Sequence, residues 1–135
     1  MRKPNLKKVA DEFEIIDSQT HLFYNRETGE FDFFCEFSDG EEVDYEKFED
    51  DVWVAAPNER DFDEYRIMAN FAESISNPHK SELLCVALEG RGAFRRFKDT
   101  LHRVDLTEDW YKWKNEAFVE FAREWCVDNE IEYLD

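Results

Sequence analysis

The sequence predicts an α+β fold: an N-terminal helix, a small antiparallel β-hairpin or three-stranded sheet, then a C-terminal bundle of about four helices. Three observations carry this. An apolar stripe with helical spacing opens the chain, aromatic runs flank a glycine turn after it, and every apolar segment beyond Pro57 has a spacing of three to four residues. With 135 residues, 42% hydrophobic and 16% aromatic, one packed domain spanning residues 1–135 is expected.

Leu6, Val9, Ala10, Phe13 and Ile16 recur three or four apart and define one face of a short helix over 6–16. Thr20–Asn25 and Phe31–Phe37 are β-prone runs separated by Arg26-Glu27-Thr28-Gly29-Glu30, where Gly29 can take the positive φ of a tight loop. In the second run the odd positions Phe31, Phe33, Cys35 and Phe37 form an apolar face expected to be half-buried against helices. Glu41–Asp51 holds seven carboxylates against Lys47 and reads as a weak helix or a loop facing water. Val52–Pro57 suits a third short strand stopped by proline.

The helical part opens with Asp61 and Glu64 at capping-box spacing and a stripe of Phe62, Tyr65, Met68, Ala72 and Ile75, ending near Asn77. Pro78 fits the first turn of the next helix, whose Leu83, Leu84, Ala87 and Leu88 face inward until Gly90 closes it in the left-handed conformation. Gly92 opens another helix with Phe94, Phe97, Leu101 and Val104 as its core stripe. Thr107 caps the last one, which runs through Trp110, Trp113, Ala117, Phe121 and Trp125. Ile131–Leu134 is a short strand or a docked tail.

The formal net charge of −17 disfavours phosphate backbones and anionic lipid, and leaves proteins or cationic surfaces as the expected partners. No run is apolar enough to span a bilayer, and three cysteines without paired spacing suit a reducing compartment, so a cytoplasmic location is expected. His21, His79 and His102 fall in separate elements without metal-ligand spacing, so no metal or cofactor site is expected. No serine or cysteine sits at a glycine-flanked turn with a histidine partner; Cys85, inside an apolar helix, reads as buried and inert.

One segment breaks the acidic background. Residues 91–103 hold five basic residues and Asp99 alone among the acids, a local +4 against −21 over the remaining chain. Arg91, Gly92, Arg95, Arg96 and Lys98 are therefore the candidate anion- or partner-binding residues: glycines free the backbone amides at a helix start, and arginines clamp an anion in bidentate fashion. The competing reading pairs these arginines with the protein's own carboxylates and leaves both glycines as turn formers. Phe94 and Phe97, at helical spacing with Leu101, read as core rather than as a stacking platform.

The run from Leu84 to Leu101, with A-L-x-G-x-G-A-F-R-R-F-K-D at its centre, resembles the bacterial Uncharacterised Protein Family 0158. The turn Asn25–Glu30 is similar to that family's D-x-x-T-G-E, with Asn25 in the place of the aspartate, and Ile67–Phe71 is similar to its I-M-x-x-F helix. The resemblance implies a small cytoplasmic α+β domain and names no activity. The leading functional reading is a non-enzymatic binding or regulatory module acting through the basic corner, the acidic face or both. The alternatives are an enzyme or binder of a small anionic ligand at Gly90–Lys98, and an acidic mimic of nucleic acid.

Overall fold

The computed structural model describes residues 3–17, 19–35, 48 and 50–135. Most of the acidic run between Glu41 and Asp51, and the expected end of the second strand at Phe37, lie outside the described residues. The elements follow the α+β order: α1 (Leu6–Phe13), β1 (Thr20–Asn25), β2 (Phe31–Cys35), β3 (Trp53–Ala55), α2 (Glu59–Phe62), α3 (Glu64–Ser74), α4 (Pro78–Ala87), α5 (Ala93–Arg103) and α6 (Thr107–Asp128). They divide into two compact units, one of residues 1–62 with 118–135 and one of residues 63–117.

In the first unit β1 is the central strand of a three-stranded sheet in the order β2-β1-β3, antiparallel to both neighbours. The pleat sends alternate side chains to opposite faces, so Leu22 and Tyr24 are buried together. Tyr24 pairs with Phe31 on one side and Val54 on the other. α1 buries Leu6, Val9, Ala10 and Phe13, and Ile16 follows just after it, as the stripe predicts. Trp125 from the end of α6 stands edge-on to both Phe13 and Tyr24, with ring centroids 5.4 and 5.7 Å away, and its indole N–H donates to the Ala55 carbonyl at 2.9 Å. The tail docks: Leu134 forms a parallel bridge with Asn5, donating to the Pro4 carbonyl and accepting from the Leu6 amide, both at 2.9 Å.

The hairpin turn is built on Asn25, whose side-chain oxygen accepts from the amides of Glu27 at 2.8 Å and Thr28 at 3.0 Å. Gly29 takes φ +73° and completes the loop. The expected apolar face of β2 holds only in part, because Phe33 is 57% exposed while Phe31 is half-buried. β2 is an edge strand, and among the described residues Trp125 reaches Phe31, with centroids 6.3 Å apart, but not its neighbour two residues on.

The second unit is helical. α3 buries Ile67, Met68, Phe71 and Ala72, and Tyr65 lies outside this face with its hydroxyl donating to the Leu88 carbonyl at 3.0 Å. Of the expected stripe, Phe62, Met68 and Ala72 are buried and Ile75 is half-buried, but Tyr65 is exposed, because the helix is interrupted: Asp63, at φ +46°, ends one helical turn and caps the next, which shifts the phase. The two acids expected as one capping box act apart from each other. Asp61 accepts from the Asn58 amide at 2.8 Å, and Asp63, not Glu64, is the residue at the cap.

Asn77 caps α4 ahead of Pro78, which occupies the first turn as expected. α5 buries Phe97, Thr100 and Leu101, whereas Phe94 is 48% exposed, so its expected place in the core is corrected. Trp110 is the centre of this core, edge-on to Phe97 at 5.1 Å and Phe71 at 5.5 Å. α6 begins one residue earlier than expected: Thr107 is already helical, and the Leu106 carbonyl accepts from the Trp110 amide. Cys85 is half-buried rather than buried.

Candidate functional site

The predicted basic corner lies in the second unit, in the α4–α5 turn and the first two turns of α5. Gly90 and Gly92 both have positive φ, +76° and +74°, a backbone state that costs a side chain-bearing residue about 1–2 kcal/mol. These two residues reverse the chain between the helices. Gly92 is the N-cap of α5, and having no side chain it supplies no acceptor to the amides of the first turn.

The structure separates the arginines by role. Arg96 reaches back across the turn, its Nε donating to the Ala87 carbonyl at 3.1 Å and its two terminal nitrogens to the carbonyls of Arg91 and Glu89. The guanidinium thus closes the C-terminal end of α4, where helical carbonyls lack intrahelical partners. A single charged fork serves three acceptors, a geometry that lysine cannot reproduce. Gly92 makes room for it: a Cβ built there would stand 3.3 Å from Nη1 of Arg96.

Arg91, Arg95 and Lys98 are exposed, and among the described residues none of them has an ion pair. The pairs present elsewhere join Lys3 to Glu132, Lys114 to Glu64, and Arg123 to Glu120 and Asp135. Among the described residues, the arginines of this corner form no pair with the protein's own carboxylates. Arg96 is structural through carbonyls, and its three neighbours point their charge at solvent. Arg95 and Lys98, three apart, share one side of α5, and the half-exposed ring of Phe94 lies one helical turn before Lys98.

Position on the helix adds to this. α5 has no acidic residue in its first turn, whereas α6 carries Glu108 and Asp109 there. Cations at a helix N-terminus oppose the macrodipole, each by about 0.3–1 kcal/mol at an exposed site. The corner therefore holds its positive charge against local preference.

Among the described residues no group of histidine, cysteine and carboxylate side chains is arranged to hold a metal ion. His21, His79 and His102 lie on β1, α4 and α5. Cys126 is buried in the first unit, and burial pushes its thiol up to about 11. Tyr24 is likewise raised, first by burial and then by Cys126 beside it.

The first unit also has an open groove of ≈ 320 Å³, lined in part by the last turns of α6. Pro57, Phe62, Phe121 and Trp125 line it, with the carboxylates Asp61, Glu124 and Asp128. Its signal in the sequence is faint: Glu124 and Asp128 are like charges four apart at the end of a helix that has no basic residue in its last turn.

The model of an uncharacterised protein family, UPF0158, matches residues 5–134, nearly the whole chain. The chain belongs to this family. Within UPF0158 it is similar to UPF0158 protein PA5073 of Pseudomonas aeruginosa, 36% identical over 67 residues. That match covers 49% of this chain and 44% of the relative, so less than half the relative's length is spanned. No solved structure matches. The UPF0158 description names no activity, and among the described residues no helix is long and apolar enough to cross a membrane.

The family resemblance seen at Asn25 acquires a physical meaning in the structure. The Asn25 oxygen accepts two turn amides, and the aspartate of the D-x-x-T-G-E pattern could accept the same two. The substitution retains the turn's hydrogen bonding.

Proposed function

We propose that this member of UPF0158 is a non-enzymatic cytoplasmic binding module, and that Arg91, Arg95 and Lys98 take an anionic group presented by a partner protein. The observation that carries the reading is that, among the described residues, these three cations are exposed without an internal ion pair, in a chain of net charge −17. In so acidic a protein, cations kept away from internal carboxylates remain available to another molecule's. The first-turn amides of α5, with no side-chain cap at Gly92, would add donors aimed at the same anion. Phe94 would add apolar contact at the edge.

A protein carboxylate fits better than a nucleic acid, because the whole-molecule field opposes a polyanion while a local contact needs only short-range pairing. An enzyme reading would need a titratable group converging with Arg95 or Arg96 in a pocket, and Arg96 is engaged by backbone carbonyls.

The experiment is an amide NMR titration of the full chain with an acidic peptide and, separately, with inorganic phosphate. Saturable shifts at Gly92–Lys98 with the peptide, lost in an Arg91→Glu/Arg95→Glu variant that keeps Arg96, are expected. Shifts with phosphate alone would replace the protein partner by a small anion. No shifts with either probe, or unchanged shifts in the variant, would remove the corner as a binding site.

A further inference from the structure

We propose that the groove of the first unit is a separate docking site for an arginine side chain on a basic segment of a partner protein. The groove lies where the end of β3 and Pro57 meet the last turns of α6. Its floor is aromatic. Phe62 and Trp125 are almost fully buried, while Phe121 is half-buried and so retains ring surface at the opening. Trp125 is held in place by its indole N–H bond to Ala55, and Phe62 packs against Phe121 with ring centroids 5.2 Å apart. These contacts make the floor a fixed surface rather than one that must be ordered on binding.

The rim has the opposite character. Asp61, Glu124 and Asp128 are exposed, and among the described residues Glu124 and Asp128 have no hydrogen-bond or ion-pair partner. Both stand where a carboxylate is disfavoured: they are four residues apart on one helix face, and Asp128 is the last residue of α6, next to the negative end of the helix dipole. Arg123, the nearest cation in sequence, turns instead to Glu120 and Asp135. Two acids so placed repel each other and the helix end until a cation arrives between them.

Carboxylates over an aromatic floor select the cation. A guanidinium offers a flat, weakly hydrated face to stack on a phenyl ring, and edge N–H groups to donate to carboxylates. An ammonium is more strongly hydrated and presents no such face. Charge complementarity also favours a basic segment over an isolated cation, since a chain of net charge −17 attracts an extended positive partner before contact. This site shares no residue with the basic corner, so either assignment can fail without the other.

The test is fluorescence anisotropy of a labelled peptide of alternating arginine and glycine, titrated with the full chain at about 0.15 M salt. Three variants are compared with wild type: Glu124→Gln/Asp128→Asn, Phe121→Leu, and Glu73→Gln/Glu82→Gln as a charge-matched control at exposed positions of the other unit. Circular dichroism verifies that each is folded. Saturable binding is expected, weakened roughly tenfold in the groove double variant and several-fold in Phe121→Leu, with the control within about twofold of wild type. A lysine peptide should bind more weakly than the arginine one. Equal losses in the groove and control variants would reduce the effect to net charge, and a lysine peptide as tight as arginine, or no saturable binding, would overturn the proposal.

Discussion

Arg96 donates from Nε to the carbonyl of Ala87, 3.1 Å away, so a side chain from the first turn of α5 closes the last turn of α4. That bond divides a cluster of basic residues, uniform in the sequence, into one structural arginine and three exposed cations. It also determines which substitutions are safe in a binding assay.

Replacing Arg96 by alanine removes the donor of the part-buried Ala87 carbonyl, while the Glu89 and Arg91 carbonyls can turn to water, and should lower stability by about 1 kcal/mol. Arg96→Lys should recover only part of it, while Arg95→Ala should stay within about 0.5 kcal/mol. Urea unfolding midpoints of the three variants test the ranking. Equal effects at the two arginines would remove the distinction.

The glycines should also differ. Gly90→Ala meets open space and carries only the left-handed backbone cost of about 1–2 kcal/mol. Gly92→Ala carries the same cost and in addition presses on Nη1 of Arg96, so it should be the more damaging of the two. In an Arg96→Ala background the difference should vanish, which a thermal-denaturation cycle can measure.

Asn25→Ala removes the acceptor of two turn amides and should cost about 1 kcal/mol, whereas Asn25→Asp preserves both bonds and should fall within about 0.5 kcal/mol of wild type. A large loss for the aspartate variant, read by chemical denaturation, would show that the turn requires the amide group itself.

Burial holds the Cys126 thiol up at about 11 against an ordinary value of 9.0. In the folded chain it stays protonated while the unfolded chain ionises, so its contribution to stability is intact below pH 9 and is lost as the pH rises through 11. Alkaline denaturation should therefore steepen above pH 9, and a Cys126→Ala variant should lack that component. At pH 8, alkylation followed by peptide mass analysis should label the half-buried Cys85 well before Cys126.

Elements governed by near neighbours in the chain were legible in the residues. The stripe of α1, the Asn25–Gly29 turn, the start of α4 at Pro78 and the positive φ of Gly90 depend on interactions spanning a few positions. Phase was lost where a local stop intervened: Asp63 ends one helix and caps another, which moves Tyr65 off the buried face. Phe94 has core spacing, but its burial depends on what lies across from it, and spacing does not contain that.

The candidate sites divide along the same line. The sequence by itself determined that basic charge would gather at the opening of α5, because Arg91, Arg95, Arg96 and Lys98 lie within eight consecutive positions. Only the tertiary structure decided that Arg96 serves the backbone while Arg91, Arg95 and Lys98 stay exposed, since that depends on which carbonyls the folded turn brings within reach. The groove was a tertiary product altogether. Its floor joins Ala55 to Trp125, 70 positions apart, and packing of side chains so distant in the chain is settled by the three-dimensional core rather than by any local pattern.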